Sequence, residues 1–108
     1  MDCLFCKIIK REIPATIQYE DDHMIAFNDI NPKAPIHLLI VPKKHICTLN
    51  DVTEQDIELV GRLVKTASTL AEQFNIAQSG YRTVFNCNDD GGQEVYHIHL
   101  HLLGGKKL

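Results

Sequence analysis

The sequence predicts an α+β domain: an antiparallel five-stranded sheet with one long helix packed on it and a short helix at the N-terminus. Three observations predict it. Residues 57–74 repeat apolar side chains at helical spacing, and five other short stretches alternate or run apolar in the manner of strands. The last two of these stretches are joined by a short polar turn, which pairs them antiparallel. A chain of 108 residues suits one domain, 1–108, and is too short for two ordinary ones. At this size the surface-to-volume ratio is poor, so pairing with a second copy is expected to help.

The elements follow in order. Residues 3–11 mix Leu4, Phe5, Ile8 and Ile9 with Lys7 and Lys10, the pattern of a short amphipathic helix that Pro14 punctuates. Residues 16–20 and 24–28 alternate around Asp21 and Asp22 and predict a hairpin. Asn31, Pro32 and Pro35 mark a loop, and the run 37–41 is a strand closed by Pro42. Thr53 with Asp56 three residues later resembles a capping box. It opens the long helix, whose apolar face is read as Ile57, Val60, Val64, Ala67, Ala71 and Phe74, opposite Glu58, Arg62, Lys65, Thr69 and Glu72. Ser79 and Gly80 end that region. Residues 81–87 form a strand, 88–92 a glycine-containing turn, and 95–103 the last strand.

Composition narrows the function. The formal net charge is −3 and the basic residues are dispersed, with Lys43–Lys44 and Lys106–Lys107 the lysine pairs, read as solvated surface. That is a poor footprint for binding a nucleic acid polymer. No apolar run reaches membrane-spanning length and no signal segment opens the chain, so a cytoplasmic protein without membrane attachment is expected. Reduced cysteines follow from that compartment. Cys47 and Cys87 read as small buried hydrophobes, and His23 as surface.

Residues two apart in a strand share a face, about 6.6 Å apart. His97, His99 and His101 thus line one side of the last strand, while Ile98, Leu100 and Leu102 bury the other. Three imidazoles on one face need partners. A metal centre and nucleophilic or acid–base chemistry both supply them, and spacing does not separate the two. Asn86 and the turn at 88–93 precede the strand, and its glycines allow turn N–H groups to cradle an anion. Cys3 and Cys6 have the spacing of half a zinc site, against the reading that they bind nothing.

The segment 91–104, GGQEVYHIHLHLLG, resembles the signature of the histidine-triad (HIT) family, in its Hint-like branch of purine-nucleotide phosphoramidases. Residues 19–30, and 32–37 leading to 42–46, resemble that branch as well, so the likeness runs from about residue 5 to 105. The resemblance implies a homodimer whose sheets join across the interface. It implies that His99 attacks the α-phosphorus of a purine nucleoside 5′-phosphoramidate to form a nucleotidyl-histidine, from which water releases AMP or GMP. His37, His101 and His97 complete the catalytic constellation on this reading. Asn86, Gly92, Gln93 and Glu94 lie along the phosphate, Asp29 holds the ribose hydroxyls and Ile30 flanks the base. Some family members with cysteines at the N-terminus hold a structural zinc with two histidines, which match His45 and His97 here, beside Cys3 and Cys6; no organic cofactor is implied.

Two departures stand out. Glu94 replaces a serine that many relatives carry, and a carboxylate beside a phosphate is repulsive unless protonated or turned away. The sequence stops at Leu108, short of the longer tail that in many relatives reaches the partner's active site, which leaves the leaving group open. Two alternatives accompany the phosphoramidase reading: a dinucleoside polyphosphate hydrolase using the same histidine chemistry, and a zinc-binding regulatory module without catalysis. A nucleotidyltransferase is disfavoured, because that branch carries Gln where this chain has His101.

Overall fold

The computed structural model describes residues 3–108; positions 1 and 2 of the expected domain lie outside the described residues. Its elements are α1 (Leu4–Ile9), β1 (Ile17–Glu20), β2 (Met24–Asn28), β3 (Ile36–Pro42), α2 (Ile57–Gln73), β4 (Tyr81–Val84) and β5 (Leu100–Gly104). The five strands form one antiparallel sheet in the order β1-β2-β3-β5-β4.

Helix α2 covers one face of this sheet. Leu63, Ala67, Leu70 and Ala71 pack on Met24, Ala26, Leu38, Ile40, Leu100 and Leu102. The buried stripe is rotated from the one expected: Leu63 and Leu70 are at its centre, while Ile57 and Val64 are 57% and 49% exposed. Leu63 and Leu70 belong to the same seven-residue repeat, and helical spacing alone does not say which of two adjacent apolar stripes meets the sheet. The expected box at Thr53 and Asp56 is present, and a second one joins Thr48 to Asp51. Lys44, read as solvated surface, bonds the buried Asp56 at 2.6 Å and ties the loop after β3 to the start of α2. Lys43 pairs with Glu20 at 2.8 Å.

The other face is covered in its β2–β3 half by α1, through Cys3, Phe5 and Ile8 on Ile25, Phe27, Leu39 and Val41. Leu39 pairs with His101 and His37 with Leu103, so this is also the histidine face.

Two strands are shorter than read. β4 ends at Val84, short of Cys87, and β5 begins at Leu100, five residues after Val95. The backbone of 95–99 leaves the ladder because its partners lie in the loop after β3, with Ile98 N–H donating to Ile46 O at 2.8 Å. His97 and His99 therefore stand on a strap leading into β5. Cys47 is exposed and Cys87 half-buried, so neither is the buried hydrophobe expected; both lie on connecting loops. His23 is exposed, as read.

Leu63→Ala is expected to destabilise the fold by about 2–5 kcal/mol by opening a cavity under α2. Lys65→Ala, on the exposed side of the same turn, is expected to stay within about 0.5 kcal/mol. Urea titration of both variants checks the pair.

Candidate active site and metal centre

The β3–β5 pairing brings His37 beside His101, and the strap adds His99. Ring centroids of His37 and His101 are 5.3 Å apart, and those of His99 and His101 4.9 Å. His99 Nδ1 lies 2.8 Å from the carbonyl oxygen of His97. A carbonyl only accepts, so Nδ1 carries the proton and a neutral His99 keeps its lone pair on Nε2. Burial holds the His99 pKa below the ordinary imidazole value, against the bond to His97 O and the carboxylates of Asp29 and Glu94, which pull it up. Phe5 packs edge-on against His99, centroids 5.0 Å apart, and fixes the ring from its other side.

A second chain of bonds fixes His37 and His101. Lys33 N–H donates to His37 Nδ1 at 3.1 Å, which leaves the His37 proton on Nε2. That nitrogen faces His101 Nδ1 at 3.0 Å and Asp29 Oδ2 at 3.3 Å. His101 Nδ1 accepts, so its own proton sits on Nε2. Asp29 is placed by its N–H bond to His37 O at 2.9 Å, and its Oδ1 takes the Asn31 N–H at 2.8 Å. Burial, with His99 and His37 close by, pushes His101 down to about 4. His37 is lowered in the same way, by burial first, with Asp29 opposing.

His97 faces elsewhere. Its side chain is fully buried; Nε2–H donates to Pro42 O at 2.7 Å, and Nδ1 turns to Cys3 Sγ (3.3 Å), Cys6 Sγ (3.7 Å) and His45 Nδ1 (3.1 Å). Cys6 Sγ lies 3.4 Å from His45 Nδ1. These four donor atoms lie within 4.8 Å of one another and could hold a metal ion. Asp29, His37 and His101 also form a compact group, but there the His37 tautomer directs a proton at the shared centre.

The turn residues are tied to one another by hydrogen bonds. The N–H groups of Gly91 and Gln93 bond Asn88 O, and that of Gly92 bonds Asp89 O, so all three serve the turn itself. Asn86 Nδ2 donates to Gly91 O at 2.7 Å. The Gln93 side chain points inward and is 6% exposed, while Glu94 is exposed and Ile30 is 90% exposed. Sequence reasoning missed Phe5, Pro42 O and Lys33 N–H. The apolar content of 3–11 signalled a packed helix, but nothing in the pattern says that its Phe meets His99.

Three alternating histidines, 97, 99 and 101, leading into the centre of a five-stranded antiparallel sheet beside His37 define a histidine-triad protein. The chain belongs to the histidine-triad family: the family model described as "Scavenger mRNA decapping enzyme C-term binding" matches residues 2–107. It is 52% identical over 107 residues to a purine nucleoside phosphoramidase of Escherichia coli K12, covering 99% of this chain and 90% of that protein. It is 50% identical to a HIT-like protein of Synechococcus elongatus, over 99% of this chain and 93% of that one. Among solved structures, a HIT family hydrolase from Legionella pneumophila matches with a TM-score of 0.96 at 57% identity, covering 98% and 95% of the two chains. A histidine triad protein from Clostridium difficile matches at 0.97 and 49%, covering 100% and 94%.

His101 has a testable consequence for stability. Its folded pKa of about 4 lies below the ordinary 6.5, so on acidification the unfolded chain takes up the proton first. Its contribution to stability is complete above pH 6.5 and is lost progressively as pH falls toward 4. The melting temperature of His101→Gln is therefore expected to fall less steeply than wild type over this window, measured by calorimetry on samples of equal metal content.

Proposed function

We propose that this chain is a hydrolase that cleaves the P–N bond of purine nucleoside 5′-phosphoramidates through a nucleotidyl-histidine on His99. The observation that carries the reading is the bond from His99 Nδ1 to His97 O, which presents Nε2 as a neutral nucleophile. The name of the Escherichia coli relative supplies the substrate class.

His99 Nε2 attacks the α-phosphorus; the Nε2–P bond forms as the P–N bond breaks, and the leaving amine takes a proton. His101, protonated to its imidazolium when the phosphate binds, gives the Nε2 proton and returns to the neutral tautomer that His37 Nε2–H holds, with Asp29 Oδ2 at 3.3 Å as the acceptor for the His37 proton while His101 is charged. Water then attacks phosphorus, returns a proton to His101 and releases the nucleoside monophosphate, restoring His99. Asp29 is the carboxylate for the ribose hydroxyls, with Ile30 beside the base, and Asn86, Gly92 and Glu94 border the phosphate. The carboxylate of Glu94 is exposed and free to turn from a phosphate.

Zinc suits the Cys3, Cys6, His45 and His97 group. With Zn–S about 2.3 Å and Zn–N about 2.0–2.1 Å, tetrahedral donors stand about 3.3–3.8 Å apart. Four of the six separations, 3.1, 3.3, 3.4 and 3.7 Å, are close to that, and all six lie within 4.8 Å. His97 presents an unprotonated Nδ1 because its proton is held at Pro42 O. When bound, the ion supplies a crosslink among α1, the loop after β3 and the strap; it takes no part at phosphorus. We also propose a homodimer. Ile57 and Val64, seven residues apart and therefore on one face of α2, offer an apolar surface beside the sheet, and β4 ends the sheet with an open edge.

Hydrolysis of adenosine 5′-phosphoramidate tests the chemistry. His99→Ala is expected to lower turnover at least ~10³-fold, more than removal of a simple acid or base; equal rates would remove His99 from the reaction. Native mass spectrometry tests the assembly: two chains with two zinc ions are expected, and Cys6→Ser is expected to lose the metal while Cys47→Ser keeps it.

A further inference from the structure

Gln93 is a buried polar side chain with every hydrogen-bonding group engaged, and all its partners are backbone atoms of loops. Its Oε1 accepts the Asn88 N–H at 2.9 Å, and its Nε2 donates to Cys47 O at 2.7 Å and Val95 O at 3.0 Å. Asn88 opens the glycine turn in left-handed backbone, φ 59°, and Gly92 closes it at φ 79°. The Cys47 end belongs to the loop that carries His45. In that loop three consecutive residues hold the histidine strap: His45 faces His97, Ile46 O takes the Ile98 N–H, and Cys47 O takes the Gln93 amide. One side chain thus fastens the glycine turn to the same loop that fixes the height of His97 and, through it, His99.

We infer that Gln93 is a positioning residue for the transfer reaction: its carboxamide sets the distance between the glycine turn and His99 at which a substrate phosphate fits. It does so without contacting the phosphate itself. The inference rests on the nucleotide reading above and assigns this residue a role other than ligand contact.

The chemistry supports the assignment. A carboxamide offers an acceptor and two donors at one planar end, and here one acceptor meets one N–H while the donors meet two carbonyls. Losing it leaves three backbone groups seeking new partners, and the turn between them is already bent through two left-handed residues. The turn would then settle elsewhere. A displacement on the order of 1 Å is enough to lower a transfer rate about 100-fold. The nucleoside end of the ligand would be unaffected, because Asp29 and Ile30 are held by the β2–β3 loop and its bond to His37.

Calorimetric titration of AMP and of adenosine into wild type and Gln93→Met separates the possibilities, with circular dichroism and metal content as checks of the fold. The expected result is AMP bound at least ~10-fold more weakly by the variant and adenosine within ~2-fold of wild type. The kcat for adenosine 5′-phosphoramidate should fall with the AMP affinity. Equal weakening of both ligands, or no change in either, overturns the inference and leaves the nucleotide reading intact. Wild-type protein that fails to bind AMP overturns both. Should Gln93→Met not fold, Gln93→Glu decides the question by the same titrations, since it keeps the volume and the acceptor for Asn88 N–H while losing both donations.

Discussion

A buried imidazole is tolerated only when both ring nitrogens have partners, and in this protein that requirement falls on His97. Its Nε2–H reaches Pro42 O at the end of β3, which forces Nδ1 into the unprotonated form and points it at Cys3, Cys6 and His45. Its carbonyl takes the Nδ1 proton of His99. The tautomer of the ring turned toward the two cysteines and the tautomer of the proposed nucleophile are therefore set by one residue, one through its ring and the other through its backbone. Neither depends on the sheet ladder, which begins only at Leu100.

The sheet divides the two tasks by face. Leu38, Ile40, Leu100 and Leu102 meet α2 and make the main core, while Leu39, Val41, His99 and His101 look the other way. The period-two geometry of a strand lets adjacent residues serve stability and chemistry without sharing a side. Helix α1 covers part of the histidine face, and its six residues fall short of what an isolated helix needs. Phe5 and Ile8 anchor it by packing; Cys3 and Cys6 anchor it to His45 and His97. Phe5 stands between the two cysteines, so whatever holds them also holds the ring that backs His99.

Much of this was legible in the residues. The alternation of His97, His99 and His101 gave the face, the spacing of 57–74 gave the long helix, and the punctuation by proline and glycine gave the element order. What failed to show was which loop covers what. Gln93 and the N–H groups of Gly91 and Gly92 are adjacent in sequence to the histidines, but nothing in the pattern says that their hydrogen bonds close on Asn88, Asp89 and Cys47. The late start of β5 escaped for a related reason. Alternation describes the side chains of an extended segment, whether or not its backbone has a neighbouring strand.

The protonation of the three clustered imidazoles completes the physical account. His37, His99 and His101 are all pushed toward neutrality by burial, and each proton placed on one ring disfavours a proton on its neighbours. A site of this kind is a poor acid by itself, since His101 at about 4 is uncharged near neutral pH. An anion changes that balance. A phosphate beside the rings favours the charged form of whichever imidazole it meets, so the substrate brings the charge that raises the acid needed for its own leaving group. On the phosphoramidase reading, the resting site keeps His99 free to attack because no proton competes for Nε2. Acid strength then appears at His101 only once the phosphorus centre is in place. On that reading neutral nucleophile and charged acid, two states that one imidazole cannot hold together, are divided between His99 at the end of the strap and His101 in β5.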